Sequence, residues 1–547
     1  MNKENIKSSL LIGSLASSFG IFISKFLGLL YYSPLSAIAG ESNMAFYSIV
    51  YTYYDLLLQI SQAGIPFAIA AMVARYMANN DYKTVLMIRK LGTSIVMALS
   101  VGVAFVLLLL TEGLSRQSLG YSAPLTDINN LKAMFNILTI SVITVPLLSS
   151  TRGYIQGLKR LDIFASSQVL EQLVRVLSIL AFSYLFVKIM NFESIWAIFV
   201  AIAAAALGAI VAYIFTVRLS KEDAKHVEEL AAQQDYDATR TKKELFIEIL
   251  TLGIPYLFIS FLGAAGPLVN TTFFLDYMTK VNGPEIYDSA KLSVGILQSN
   301  IAKIANIPSV FAMGFSSGMV PYLSESLENH DNKKINEQIT QIMDASLYIL
   351  IPIVVVFIFF ARDIYFIFYG NYNLTLGASL LCVSNIQLFL GCVAPILSSV
   401  LMSLKMRKDA IIALIVSFLI KLVTFFPLVR LFGAYGMIYS SGLYYLVQIV
   451  MYLYYLKKTF GVDIRGTYGN MFMITLSSLA MVIPAIVIHN LIGFDYQSRL
   501  IDIGIMGGVG ILMVIIYYVV TVHFSIPQKI LQMDDVSIKQ LISKLKV

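Results

Sequence analysis

Long apolar runs, separated by short polar or basic segments, recur along the whole chain. Each run approaches or exceeds the roughly 20 residues that an α-helix needs to cross a bilayer. Repeated runs of this length favour a bundle of membrane-spanning helices over a β-barrel. The pattern therefore predicts an all-α, polytopic membrane protein with fourteen transmembrane helices, near residues 10–32, 44–78, 88–111, 132–158, 162–188, 194–218, 245–275, 293–324, 336–361, 374–403, 409–431, 434–456, 470–490 and 500–523.

The composition agrees with this pattern. Hydrophobic residues make up 58% of the chain and charged residues 13%, against roughly 45–50% and 25% in an ordinary soluble domain. The net charge of +7 could by itself suggest a nucleic-acid partner. The basic residues, however, cluster in short segments between the predicted spans, as membrane topology requires. We therefore expect a membrane partner and no nucleic acid.

The distribution of basic residues also predicts the orientation. Most of the 39 lysines and arginines fall in every second segment between predicted spans, beginning with the segment before the first span. Positive residues are retained on the cytoplasmic side, so both termini are expected in the cytoplasm. The segment from Met1 to Lys7 and the apolar run after it resemble a signal sequence without a convincing cleavage site. We expect an uncleaved first span.

Two halves of the chain have related sequences. Phe22–Gly28 (FISKFLG) is echoed, one residue shorter, by Phe258–Gly263 (FISFLG), and Arg175 recurs as Lys421 at an offset of 246 residues. Because the repeated spans enter from the same side, an axis along the membrane normal should relate the two halves. We therefore expect a six-span lobe at 1–218, a cytoplasmic linker at 219–243, a second six-span lobe at 244–457, and two further spans with a cytoplasmic tail at 458–547.

Lys25 and Lys303 are lone cations inside long apolar runs. A charge at membrane depth is costly and usually marks a functional site. The alternative is a structural lysine that reaches the interface or pairs with an acid, and Asp55 is the obvious partner for Lys25. Paired cations in two related halves favour a transporter for an anionic substrate.

Polar residues at helical spacing extend this candidate site. They form one stripe on each of spans 1, 2, 7 and 8, and lipid-facing positions would not tolerate them. The alternative is that the small and hydroxyl residues only allow close helix packing. The stripes suggest a shared aqueous cavity, with candidate substrate-binding residues Ser17, Ser24, Lys25, Asp55, Gln59, Asn270, Ser299, Lys303 and Asn306.

Other intramembrane charges could form a coupling network. Glu171 and Arg175 are four residues apart, a spacing that favours an ion pair within one helix. A self-neutralised structural pair is at least as consistent with this spacing as a coupling role. Lys421 has no acid nearby in sequence and is a candidate for binding a head group or a distant partner.

Glycines and prolines interrupt several predicted spans. Gly64, Pro66, Pro267 and Pro308 are candidate hinges, because proline removes a backbone hydrogen bond and kinks a helix. A static kink is the equally consistent alternative.

Sequence signatures of enzymes are absent. The chain has no glycine-rich phosphate loop, no paired histidine ligands and no nucleophile elbow. Cys382 and Cys392 lie on different faces of one predicted helix, so no disulfide is expected. We expect a transporter without cofactor or metal, driven by an ion gradient or by the membrane potential.

The segments around the two lysines resemble elements of the multidrug/oligosaccharidyl-lipid/polysaccharide exporter superfamily, most closely its Gram-positive MurJ-type lipid II flippases. Ser24–Gly28 resembles the family's Ser-Arg-x-x-Gly element and Ala302–Pro308 its Ala-Asp-Arg-x-x-x-x-Pro element, with lysine in place of arginine. The chain departs from the family at Tyr31 and Gln59, where further arginines are common, and at Met44, where an aspartate is usual.

This resemblance implies a function. The substrate would be lipid II, a polyprenyl pyrophosphate with a sugar-peptide head group, moved to the outer leaflet of a bacterial plasma membrane by alternating access. Cell-wall synthesis proteins would be candidate partners. The alternatives are a flippase for another lipid-linked polysaccharide and a cation-coupled multidrug exporter.

Overall fold

The computed structural model describes residues 31–531 apart from 63, 121, 306–307, 309–322, 324–325, 494–495 and 497. This part of the chain is helical and contains no β-strand. Its helices are α1 Tyr32–Ala39, α2 Met44–Gln62, α3 Ile65–Ala78, α4 Tyr82–Leu119, α5 Leu125–Gly157, α6 Leu161–Tyr184, α7 Trp196–Leu219, α8 Lys221–Ala232, α9 Lys242–Asn282, α10 Tyr287–Val294, α11 Asn332–Phe359, α12 Ala361–Tyr369, α13 Leu374–Ser403, α14 Arg407–Phe432, α15 Ala434–Phe460, α16 Arg465–Ile492, α17 Arg499–His523 and α18 Ile526–Leu531. Short π-helical segments extend α6 over Leu185–Ile189 and α10 over Gly295–Ile301.

Ten helical stretches in the described residues are long and apolar enough to cross a membrane. They are Met44–Ala78, Tyr82–Leu119, Leu125–Gly157, Leu161–Ile189, Trp196–Leu219, Asn332–Phe359, Leu374–Ser403, Arg407–Phe432, Arg465–Ile492 and Arg499–His523. Helices α9 and α15 cover the predicted spans 245–275 and 434–456. The predicted span 10–32 lies almost wholly outside the described residues. The all-α, polytopic fold is thus confirmed, while the count of fourteen spans stays a prediction.

The chain divides into two compact units, with the boundary between Ser299 and Asn300. This division differs from the lobes expected from the repeat, because α9 and α10 pack within the first unit. Helix α9 contacts α2, α3 and α4 there. The predicted lobes are defined by related sequences, whereas the two units are defined by packing. The units therefore do not test the lobe boundaries at 218 and 244, which stay a prediction.

The predicted span 44–78 is two helices in the structure. Gly64 separates α2 from α3 with a φ of +66°, a left-handed backbone conformation that glycine adopts at little cost. Pro66 follows in the first turn of α3, where its missing N–H leaves no helical bond unmade. The break expected at Gly64 and Pro66 is therefore present, and its role as a moving hinge is a prediction.

Small residues allow α5 to approach α3 closely. A Cβ atom on Gly153 would lie 2.4 Å from the carbonyl oxygen of Pro66, and one on Gly157 would lie 2.6 Å from the Cβ of Val73. The spacing of four residues between the two glycines is typical of close helix packing in membranes. This contact fixes α3, and the chain break before it, against α5.

The predicted linker packs against the first unit around one carboxylate. Asp81, at the N-cap of α4, accepts hydrogen bonds from the backbone N–H and hydroxyl of Thr84. It also accepts them from the same two groups of Thr239 and from Nε2 of Gln234. Burial alone would raise the pKa of Asp81, but the bonds from the two threonines outweigh it and lower the pKa to about 2.

We expect Asp81→Asn to loosen the linker. The substitution leaves the buried donors of Thr84 and the more exposed donors of Thr239 and Gln234 without a charged acceptor, a loss of about 1–3 kcal/mol in the free energy of unfolding. Limited trypsin digestion at Arg240 should be faster in the variant. Asp237→Asn is the matched control, because the Asp237 carboxylate is fully exposed; equal digestion of both variants would contradict the prediction.

The depressed pKa also predicts the pH dependence of this contact. A carboxyl group with a lowered folded-state pKa stabilises the folded state above its unfolded pKa of about 3.9. That contribution is lost as the pH falls through about 2. In wild type, slow digestion by pepsin in the linker should therefore persist at pH 3.5, and Asp81→Asn should abolish this protection.

Candidate functional site

Several candidate residues lie outside the described part of the chain. These are Ser17, Ser24, Lys25 and Asn306. The structure therefore places the remaining candidates, which lie on α2, on α9 and on the segment after α10.

The polar faces of α2 and α9 meet through hydroxyl groups. The hydroxyl of Thr271 donates to Oε1 of Gln298 at 2.8 Å and lies 3.2 Å from the hydroxyl of Thr52. The hydroxyls of Tyr53 and Thr272 are 3.0 Å apart. Helices α2 and α9 are thus in direct contact at this level.

The predicted substrate residues near this contact differ in exposure. Asp55 and Gln59 continue the polar stripe of α2, and Asp55 is exposed while Gln59 is half-buried. Asn270 of α9 is buried, with 5% of its surface exposed. Of these three side chains, Asp55 is therefore the most accessible to a bound molecule.

Ser299 and Lys303 follow α10 in sequence. The Ser299 hydroxyl is fully buried and donates to the carbonyl oxygen of Met44 at 2.8 Å. Lys303, in the second unit, is half-buried. Ser299 therefore has a structural contact in this conformation, and its predicted contact with substrate would require that contact to open.

A buried charge cluster joins α5 and α6. Nη1 of Arg152 lies 2.7 Å from Oε2 of Glu171, and Nε of Arg152 donates to the hydroxyl of Ser167 at 2.8 Å. Nη2 of Arg175 lies 3.7 Å from Oε1 of Glu171. The expected ion pair within α6 is therefore present, but its two atoms are too far apart for a hydrogen bond. Glu171 makes its short contact with Arg152 on the neighbouring helix.

Tyrosines of α2 hold the second guanidinium of the cluster. Arg175 donates to the hydroxyl of Tyr51 at 3.0 Å and to that of Tyr54 at 3.3 Å. Further along, the hydroxyls of Tyr31 and Tyr47 are 2.7 Å apart, and the rings of Tyr47 and Tyr51 are in contact. The cluster is thus connected to the helix that carries the polar stripe.

Lys421 of α14 occupies the equivalent repeat position in the second unit. Its side chain is fully buried, and its ammonium donates to the hydroxyls of Ser440 and Ser441 of α15 at 2.8 and 2.7 Å. The ammonium also lies 5.5 Å from the centre of the Phe425 ring. In this conformation a head group has no access to Lys421.

A second buried ion pair lies at the start of α5. Nζ of Lys291 is 2.6 Å from Oδ2 of Asp127, which also accepts a hydrogen bond from the Tyr287 hydroxyl at 2.9 Å. The Lys291 ammonium lies 4.1 Å from the centre of the Phe46 ring. Burial and the adjacent Asp127 raise the pKa of Tyr287, so its hydroxyl stays protonated and donates a hydrogen bond to the carboxylate. These contacts join α2, α5 and α10.

The remaining candidate hinges are Pro267 and Pro308. Helix α9 continues through Pro267, which is exposed. Pro308 is helical and buried, and most of its neighbours lie outside the described residues. Movement at either proline stays a prediction.

Sequence reasoning did not single out Arg152, Asp127, Lys291 or the tyrosines of α2. Arg152 was detectable, because it is a cation six residues before the end of the predicted span 132–158. Its partner Glu171 is 19 residues away on another helix, and helical spacing detects only pairs within one helix.

Among the described residues, no group of three or more histidine, cysteine, aspartate or glutamate side chains could hold a metal ion.

The sequence of the chain is similar to those of known proteins. A family model described as "Polysaccharide biosynthesis protein" matches residues 10–327, and one described as "Lipid II flippase MurJ" matches residues 293–499. The "Lipid II flippase MurJ" of Bacillus subtilis is 28% identical over 506 residues, covering 90% of this chain and 91% of that protein.

Solved structures show the same fold. The structure titled "Lipid II flippase MurJ, inward closed conformation" has a TM-score of 0.65 at 17% identity, covering 93% of this chain and 98% of that one. A structure titled "Inward-facing conformation of a multidrug resistance MATE family transporter of the MOP superfamily" has a TM-score of 0.61 at 13% identity, covering 80% and 95%. The expected likeness to MurJ-type members of this superfamily is thus confirmed. The polysaccharide biosynthesis protein model matches more than half of this chain, and the chain therefore belongs to the polysaccharide biosynthesis protein family.

Proposed function

We propose that this multi-pass membrane protein is a flippase that moves lipid II from the inner to the outer leaflet by alternating access. The observation that carries the proposal is the 28% identity to the Bacillus subtilis lipid II flippase, which extends over nine tenths of the chain. The match of the MurJ model to residues 293–499 supports it over the part of the chain that includes Lys303.

The chemistry of the candidate residues supports an anionic lipid substrate. A pyrophosphate needs compact, strongly charged donors, and a lysine ammonium binds phosphate as a point charge. Lys25 and Lys303 would supply such charges at membrane depth. The hydroxyl and amide groups of α2 and α9 would supply hydrogen bonds for the sugar-peptide head group.

The membrane potential would drive the step. With both termini in the cytoplasm, the substrate would carry negative charge outward from a negative interior. That movement is favoured by about 2.3 kcal/mol per charge per 100 mV. A coupled cation could supply additional driving force, and cell-wall synthesis proteins would be the candidate partners that consume the lipid outside.

The second candidate is a flippase for another polyprenyl-linked polysaccharide. The family model for polysaccharide biosynthesis proteins, which matches residues 10–327, favours it. A cation-coupled drug exporter is the third, and the shared fold supports it. Such an exporter should place acids at the centre of its cavity, whereas the candidate residues at membrane depth include two lysines.

Rescue of depleted cells tests the proposal. A Bacillus strain depleted of its own lipid II flippases should regain growth and wall synthesis when this chain is expressed in its membrane. Reconstituted vesicles then separate the candidates: we expect flipping of fluorescent lipid II and no transport of a cationic dye. Transport of other polyprenyl-linked glycans without lipid II would favour the second candidate, and absence of rescue with full membrane abundance would contradict the first.

A further inference from the structure

We infer that the cluster of Arg152, Glu171 and Arg175 selects the sign of the substrate charge, by holding one uncompensated positive charge inside the first unit. This inference rests on the proposed function, because it concerns the head group that the flippase accepts. It assigns a specificity role to Arg152, which touches no predicted substrate residue.

The charge count follows from the contacts. Two guanidinium groups share one carboxylate, that of Glu171, at 2.7 and 3.7 Å. Within the described residues, it is the one carboxylate within ion-pair distance of either arginine. The other contacts of the cluster are to the neutral hydroxyls of Ser167, Tyr51 and Tyr54. Residues 5–40 contain no aspartate or glutamate, so the predicted first span cannot supply a second acid.

The excess charge is well shielded from water. Arg152 and Arg175 expose 8% and 9% of their surfaces. Nη2 of Arg152 and Nε of Arg175 are buried and make no hydrogen bond to any described residue. Hydroxyl dipoles stabilise the charge but do not neutralise it, and salt screens a buried charge far less than an exposed one. Its field therefore persists at physiological ionic strength.

The roles of the two arginines differ. Arg152 makes the short contact to Glu171 and so neutralises the negative charge of that carboxylate. Arg175 is beyond hydrogen-bond distance from Glu171 and is held by the tyrosines of α2 instead. Arg152 is thus a positioning residue, and it leaves the positive charge of Arg175 directed at α2.

Helix α2 places this charge near the proposed substrate. Around α2, Tyr51 lies about 40° and Tyr54 about 100° from Asp55, which belongs to the same polar stripe as Thr52 and Gln59. A helix is about 10 Å across, so the charge lies roughly one helix diameter from the polar stripe. At that distance, with an effective dielectric constant of about 20, one unit charge changes affinity on the order of tenfold for each unit charge on the ligand.

Three variants separate charge from contact. Arg152→Gln leaves a neutral cluster, because Glu171 then cancels Arg175. Arg152→Gln combined with Glu171→Gln restores a net charge of +1 but removes the short ion pair. Glu171→Gln alone raises the charge to +2. Lys225→Gln is the matched control, since it removes an exposed cation from α8.

The measurement is binding of undecaprenyl pyrophosphate and of uncharged undecaprenol to the full chain in nanodiscs. We expect Arg152→Gln to weaken pyrophosphate binding on the order of tenfold or more. The double variant should return close to wild type, Glu171→Gln should bind more tightly, and undecaprenol binding should not change. Lys225→Gln should match wild type with both lipids.

Two results would overturn the inference. Equal weakening in Arg152→Gln and the double variant would show that the contact matters and not the charge, and unchanged binding in both would show that neither does. If Arg152→Gln does not fold, Glu171→Gln decides alone: binding no tighter than wild type rejects the inference. Failure of the wild-type chain to bind or flip lipid II would instead reject the proposed function.

Discussion

Alanine at Lys25 or at Lys303 is expected to leave the chain unable to sustain growth of cells depleted of their own lipid II flippases. Each substitution removes an ammonium group that we propose binds the pyrophosphate, and charge-assisted hydrogen bonds contribute about 1.5–3 kcal/mol each. A loss of that size lowers substrate affinity by about tenfold to more than a hundredfold. The measurement is growth and wall synthesis at a membrane abundance equal to that of wild type.

Conservative variants separate charge from packing at these two positions. Lys25→Arg and Lys303→Arg keep the charge and bring in the residue found in the resembling family elements, so rescue should persist. Lys225→Ala, which removes an exposed cation from the linker helix α8, should also rescue. Full rescue by the two alanine variants would remove both lysines from the proposed site.

The helical architecture could be read from the sequence because its cause is local. Apolar runs must cover membrane depth with backbone bonds satisfied within each segment, so run length alone locates a span. Gly64 and Pro66 likewise predict the break between α2 and α3, because glycine frees its own backbone and proline restricts its own. Features of this kind do not depend on which helices become neighbours.

The contacts of the candidate site depend on neighbours and were only partly predictable. Spacing within α6 pointed to Arg175 as the partner of Glu171, whereas the structure gives the short contact to Arg152 of α5. Lys421 was recognised as a cation at an equivalent repeat position, but its burial against Ser440 and Ser441 depends on how α14 packs on α15. A repeat offset conserves position along the chain and leaves the packing of each side chain open.

Helix α9 shows the same limit at a larger scale. Its sequence echoes the first predicted span, which assigns it to the second half of the chain. Its hydroxyl contacts, to Thr52 and Tyr53 of α2, place it in the first unit. Sequence relationship therefore assigned α9 a position along the chain but could not say which helix faces it.

Breaking the Asp127–Lys291 ion pair is expected to destabilise the first unit strongly. The pair is buried, with 17% and 7% of the two side chains exposed, and Asp127 also accepts the Tyr287 hydroxyl. Removing one partner of a buried pair leaves an uncompensated charge and costs about 3–5 kcal/mol. Removing Asp127 should destabilise the protein more than removing Lys291. In Asp127→Ala the Lys291 ammonium has only the Phe46 and Tyr287 rings beside it in the described structure.

A double-mutant cycle measures this coupling. Asp127→Asn, Lys291→Met and their combination should be compared by thermal unfolding in detergent, and the combined loss should fall well below the sum of the single losses. The exposed pair of Glu112 and Lys132, 3.1 Å apart, is the matched control, and Glu112→Gln should cost under about 1 kcal/mol. Since the buried pair ties α10 to α5, the single variants should also increase labelling of a cysteine placed at Ala290, a buried position on α10. Additive losses in the cycle, or labelling equal to wild type, would show that the pair does not hold these helices together.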